Sequence, residues 1–497
     1  MEYAIAVFDV GKTNKKLLIY DRDLTLLDST YRVFPTIELD GLEVEPLEAV
    51  EAWFLQELSR FARTYPIRVI TVSTHGAAFV CVGSDGNPAL PVVSYTYEPG
   101  DAFHDEFYRE VGDRDHLQRT TATLELKALI NPAKGVFFAK RRFPKQFEAV
   151  RHILLFPQYW GFRLTGNVAA DYTYVGCHTY LWDFAAGRWS EVADRLGIRD
   201  LLPERVGKPW ETLGTVSAAI AAQTGLDPGT LVTFGIHDSN ASLLPHLVKR
   251  QDSFVLNSTG TWCVAMHPAE RVEFAADEIG KAVFYNISPL GKPVKTSILM
   301  GGLEFETYTE LLKASTGRTD FPAYRKQTYE RILAERRFFI LPGVVPGSGQ
   351  FPHARSKVVE DGVVYPLEDI QTGRRVPGFF SDLETAYAVL NLSLALQTKI
   401  ALERVNLKSG VSLYTEGGFR NNKDYNRLIS TFFSGSRHAL TNVREATSFG
   451  AALVSRLAVE QGEPEELAHT FEIEDTAVPA ETFSELDAYA SAFYDLV

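Results

Sequence analysis

The sequence predicts a two-domain α/β protein, and three observations carry that prediction. At 497 residues the chain is too long for one ordinary hydrophobic core, so two large domains with a cleft between them are expected. Strand-like and helix-like apolar runs alternate along it, as they do in α/β architecture. Two similar hairpins, one at the start and one near the midpoint, open two halves as an internal duplication would. The division falls at 246/247, giving domains 1–246 and 247–497.

The first hairpin is read as a strand from Ala4 to Asp9, a polar turn Gly11-Lys12-Thr13-Asn14, and a strand from Lys16 to Asp21. Ile67 to Ser73 follows as a buried strand, and Pro132 to Arg142 as a helix. Leu231 to Phe234 is an apolar strand that leads, through Gly235-Ile236-His237-Asp238-Ser239-Asn240, to a helix beginning near Ala241. The second hairpin runs Ser253 to Asn257, turns at Ser258-Thr259-Gly260-Thr261, and returns from Trp262 to Met266. The Pro- and Gly-rich stretch 340–355 is a shaped loop, and Leu383 to Leu407 a long buried helix. Val411 to Thr415 is a strand, followed by Glu416-Gly417-Gly418-Phe419-Arg420-Asn421-Asn422 and a helix from near Lys423. The acidic end, Gly462 to Val497, reads as a partly helical cap without a chemical motif.

Composition narrows the function. With 45% hydrophobic, 12% aromatic and 23% charged residues, the chain is of globular type. A net charge of -13 argues against nucleic acid as a partner, since phosphate backbones want a basic surface. Cys81, Cys177 and Cys263 are far apart and suggest neither a disulfide framework nor a zinc knuckle. No apolar stretch approaches the roughly 20 residues that cross a bilayer, and the amino terminus lacks a signal-peptide pattern. A cytoplasmic protein that binds small molecules is expected.

Four tracts carry chemistry. Asp9 closes a strand beside backbone amides and the side chains of Thr13 and Asn14, groups that suit Mg2+ and phosphate oxygens; an ordinary polar turn fits the same residues. The hydroxyl-rich turn of the second hairpin repeats the arrangement, and facing hairpins would make a phosphate clamp. A Walker A loop is absent. Asp238 sits at a strand-to-helix junction, either as a helix cap or as a group pointing into a cleft. Gly417 and Gly418 would let a flat ligand lie against the backbone at a helix start, or make a tight turn.

In this order the four tracts resemble the FGGY carbohydrate kinase family, within the actin, hexokinase and Hsp70 superfamily. Asp9, Gly11 and Thr13 match its DxGTTSxR element, with Lys16 in the place of the basic residue. Thr74-His75-Gly76 is similar to QMHG, and Leu164-Thr165-Gly166, Asp171 and Thr179 to Asp183 to the LTG and TxLxD signatures. Gly235 to Asp238 matches GxxD, Ser258 to Trp262 the second phosphate motif, Glu416 to Asn421 the adenosine motif, and Glu445 to Ala452 the hinge helix ExTAxGAA.

The resemblance implies two actin-like, ribonuclease H-like domains with an active-site cleft between them, the first for the sugar and the second for the nucleotide. It implies ATP and Mg2+ as cofactors and a small sugar as substrate, and homodimers are frequent among relatives. Asp238 would be the general base and Asp9 the metal-positioning group. Thr74, His75, Tyr95, His237 and Asp238 would meet the sugar. Gly11, Lys12, Thr13, Asn14, Lys16, Thr259, Gly260, Thr261, Gly417, Gly418 and Asn421 would meet the nucleotide.

Three departures stand out: Lys12 for a Thr, Glu416 for a Gly, and Ser94-Tyr95-Thr96-Tyr97 in place of SWxDxR. His237-Asp238-Ser239 with Ser258 to Trp262 looks most like the rhamnulose and fuculose kinases, so a 6-deoxy-ketohexulose is expected, with a pentulose or polyol as the alternative. A non-catalytic ATP-binding sensor is the rival of another class.

Overall fold

The structure, a computed structural model, describes residues 3–443 and 445–497. Each half is built on a seven-stranded sheet, and the two sheets share a plan. In the first, Ala4–Val10 pairs antiparallel with its hairpin mate Asn14–Asp21, which pairs antiparallel with Leu26–Val33. On its other side it runs parallel to Ile67–Thr74, which is flanked in parallel by Leu231–Thr233 and Ile236–His237. In the second, Phe254–Thr259 pairs antiparallel with Cys263–Pro268, which leads to Pro293–Leu299, and runs parallel to Ser412–Gly417, which leads to His438–Thr441. The shared plan of an antiparallel meander beside parallel strands is the duplicated, actin-like fold.

The strands are apolar on both faces because both faces are covered. Beneath the first sheet, Trp53, Phe54 and Leu58 of helix Leu47–Ala62 pack on Phe8, with the Phe8 and Phe54 rings stacked at 3.8 Å. In the second half the helix Leu383–Arg404 fills the core almost from end to end. The outer face of the first sheet is covered by two helices, Asp238–Lys249 and Ala446–Glu460, through Ile5, Val7, Val69, Ala241, Leu244 and Leu453. The second of these comes from the other half of the chain. Ser455 Oγ donates to Thr71 Oγ1 at 2.7 Å, and Tyr20 Oη lies 2.8 Å from Ser448 Oγ, which pins the helix to the first sheet. The residue boundary at 246/247 therefore falls inside a helix that touches both sheets.

Several boundaries differ from expectation. The strand of the second hairpin continues to Thr259, because residues 256–259 are paired on both sides, and the turn contracts to Gly260–Trp262. The helix expected near Ala241 begins at Asp238, with His237 as its N-cap, so Asp238 is in the first turn and not the cap. The tail adds a strand, Asp475–Ala477, to the second sheet and a helix, Leu486–Leu496, that buries Tyr489 and Phe493 in the second core. Among the described residues no helix is long and apolar enough to cross a membrane.

Candidate active site

Three parallel strands end side by side, and each ends in a tract singled out above. In register, Asp9 faces Ser73, Ser73 faces Ile236, and Thr74 faces His237. The carboxyl ends of strands in an open α/β sheet are where ligands bind, and here they bring Asp9, His75 and Asp238 together. Gly235 adopts φ 85°, and a side chain there would meet the Val72 carbonyl oxygen at 2.9 Å, so the turn to Asp238 accepts only glycine. Gln158 Nε2 fixes the same turn by donating to Phe234 O at 2.9 Å and to Asp171 Oδ2 at 2.7 Å. Thr173 Oγ1, bonded to Asp171, accepts from His237 N–H at 2.9 Å.

The Asp238 side chain is 33% exposed, so one face of the carboxylate is open. Oδ1 accepts from Ser239 N–H at 2.5 Å and lies 3.2 Å from His237 Nε2. Burial raises its pKa, while His75 and the bonds from Ser239 oppose the rise. Burial and the charge of Asp238 push Asp9 up to about 7, against the lowering effect of Lys16. Two carboxylates thus repel each other across a small space, an arrangement a divalent cation relieves.

His75 Nδ1 lies 2.7 Å from its neighbour's carbonyl, Gly76 O, which assigns the proton to Nδ1. Burial holds the ring down to about 4, so it is neutral at physiological pH. Its Nε2 is buried and has no partner, an acceptor waiting for a hydroxyl. Tyr95 packs on the His75 ring with centroids 5.2 Å apart. Beside Tyr95 is a mainly apolar pocket lined by Ala77, Phe79, Leu90, Val93 and Leu129. Thr74 is buried, and its hydroxyl donates to His75 O at 3.0 Å.

Lys12 turns to this side. Its Nζ donates to Glu45 Oε1 at 2.6 Å and Ser94 Oγ at 2.7 Å, and it lies 5.0 Å from the Tyr95 ring centroid. These bonds direct it away from the nucleotide role expected of it. The turn of the first hairpin is held instead by buried Lys15, which donates to Gly11 O at 2.9 Å and Lys12 O at 2.8 Å. Thr13 and Asn14 stand exposed at the tip. Lys16, opposite Asp9 in the hairpin, pairs with Glu445 at 2.6 Å.

On the second sheet Gly260, Thr261, Gly417, Gly418 and Asn421 are exposed. Thr259 is not: its hydroxyl donates to Glu416 O at 2.5 Å and accepts from Phe419 N–H at 2.9 Å. It braces the turn from within, its one hydroxyl proton committed to Glu416 O. Gly417 adopts φ 80°, and a side chain on it would collide with the Thr259 carbonyl. Glu416 also faces inward, with Oε2 3.3 Å from His246 Nε2 on the helix Asp238–Lys249.

Sequence reading missed Glu45, Gln158, Cys177 and His178. Glu45 and the Cys177-His178 pair, of which Cys177 Sγ lies 3.4 Å from His237 Nε2, lie in segments without a motif. Gln158 follows a proline in a helix start that reads as plain core.

The arrangement meets its relatives here. Residues 4–245 match the model of the FGGY family of carbohydrate kinases, N-terminal domain, and residues 251–464 that of carbohydrate kinase FGGY, C-terminal domain. The chain belongs to the FGGY carbohydrate kinase family. This FGGY chain is 22% identical over 273 residues to a rhamnulokinase of Halalkalibacterium halodurans, covering 53% of the chain and 55% of the relative. It is 26% identical over 215 residues to an L-fuculokinase of Escherichia coli K12, covering 42% and 43%. The matches span about half the length of these curated relatives. A solved carbohydrate kinase from Novosphingobium aromaticivorans superposes with a TM-score of 0.78 at 26% identity, covering 100% of this chain and 98% of that one.

Proposed function

We propose that this chain is a cytoplasmic kinase that transfers a phosphoryl group from ATP to a hydroxyl of a 6-deoxy-ketohexulose of the L-rhamnulose or L-fuculose type, with Asp238 as general base. The observation that carries the reading is the convergence of a half-open carboxylate, Asp238, with the unpartnered acceptor His75 Nε2 at adjacent strand ends. His75 Nε2 accepts a hydrogen from one sugar hydroxyl and orients the ring, while Asp238 takes the proton of the reacting hydroxyl as its oxygen attacks. Lys12, Glu45 and Tyr95 line the far side of the sugar. The apolar pocket beside Tyr95 favours a methyl group over a hydroxymethyl, whose hydroxyl would lose its water there without a partner. The names of the two relatives and the His237-Asp238-Ser239 tract agree with that sugar class.

Asp9 is suited to hold Mg2+, because its carboxylate is buried beside a second one and has only Lys16 to lower its pKa. Magnesium, when bound, neutralises phosphate charge during transfer. The exposed groups Thr13, Asn14, Gly260 and Thr261 would grip phosphate oxygens, and Gly417, Gly418 and Asn421 would line adenosine. ADP release with Mg-ATP across a panel of ketoses, pentuloses and polyols tests the reading. One 6-deoxyketose should stimulate turnover strongly, and Asp238→Asn should lower kcat by at least ~10^2 to 10^4-fold. ATP binding without turnover on any sugar would favour a sensor instead.

A further inference from the structure

Beside the base three side chains converge, two of which, Cys177 and His178, have no part in the kinase reading. Cys177 Sγ lies 3.4 Å from His237 Nε2, and one ligand atom each from Cys177, His178 and His237 lie within 4.8 Å of one another. Asp238 Oδ1 is 3.2 Å from the same His237 Nε2. Bonds of about 2.0–2.3 Å at tetrahedral angles separate zinc ligands by roughly 3.3–3.6 Å, so the Cys177–His237 distance is close to an edge of such a site. Residue 76 is glycine, and a side chain there would reach 2.8 Å from His178 Nε2 and 3.1 Å from His237 Nε2, within the same space.

One further observation points to a ligand. Asn240 Oδ1 is buried without a partner, while its Nδ2 lies 3.2 Å from His237 Nδ1. Rotation of that amide, with loss of a long 3.4 Å bond to Thr173 O, places an acceptor against Nδ1–H and frees Nε2 to ligate.

We infer that Cys177, His178 and His237 bind a thiophilic divalent cation, Zn2+, and that the charge of the bound ion, next to the Asp238 carboxylate, removes the base from use. Cys177 binds as thiolate, and its proton leaves to solvent. The thiolate and the Asp238 carboxylate then balance the two positive charges. Thiolate and imidazole select zinc over magnesium, so the site is separate from the one at Asp9.

Co2+, a spectroscopic stand-in for Zn2+, is titrated into the full chain without sugar or nucleotide. A thiolate-to-cobalt charge-transfer band saturating at one equivalent, displaced by Zn2+ and unaffected by millimolar Mg2+, is expected. Cys177→Ser should abolish the band and His178→Gln should weaken binding at least tenfold, while Cys81→Ser leaves both unchanged. No band, or one that survives Cys177→Ser and His178→Gln, overturns the proposal. The part that concerns inhibition rests on the kinase reading: one equivalent of Zn2+ should cut sugar-dependent turnover at least tenfold, and Cys177→Ser should relieve it. A band without sugar turnover would sink the kinase reading and leave the metal site. Turnover without a band would do the reverse.

Discussion

His75 shows how much a single atom carries. Its neutral ring keeps Nδ1–H on Gly76 O, so only Nε2 is left for a substrate. His75→Ala removes one net hydrogen bond, which is worth ~0.5–1.5 kcal/mol. The KM for the sugar should rise about three- to tenfold, with the KM for ATP unchanged, in steady-state assays with each substrate varied. A loss confined to kcat would give His75 a different role. Asp9, His75 and Asp238 are legible in the sequence because each lies at or just beyond an apolar strand, and strand ends show in a linear pattern. Glu45, Cys177 and His178 are not, since only tertiary packing brings their loops to those strand ends. Lys12 is visible as a departure, but its turn toward Glu45 depends on a partner 33 residues away.

At the scale of elements, the crossing of Asp238–Lys249 with Ala446–Glu460 matters most. A side chain at Gly450 would collide with the Ala241 carbonyl, so the two helix backbones touch. Gly450→Ala should force them apart and destabilise the chain by ~1–3 kcal/mol, seen as a lower midpoint in urea. An unchanged midpoint would mean that the crossing relaxes without strain. Glu416 extends the same contact to the second sheet through His246. Helix Pro132–Arg142 appears with the bounds the sequence suggests, because Pro132 opens it at the first turn. The second hairpin does not, since pairing on both flanks carries the strand through residues that read locally as a turn.

Across the whole molecule, stability against pH is set partly by Lys134, wholly buried with Nζ donating to Leu126 O at 2.7 Å. Burial lowers its pKa from 10.5 to about 7. Between those values the unfolded chain binds more protons than the folded one, so this group's contribution to stability grows as pH rises from 7 toward 10.5. In urea unfolding at pH 7 and pH 9.5, the wild type should gain on Lys134→Met at the higher pH. An equal difference at both would show that the lysine is charged when folded. The duplicated plan is legible from two hairpins nearly half a chain apart, whereas the return of Ala446–Glu460 to the first sheet is not, because nothing local marks which sheet a helix covers. That return has a mechanical meaning. A contact made by backbone alone leaves no side chain to give way, so a load on either helix at Gly450 passes undamped to the other, as between two stones set dry in a wall.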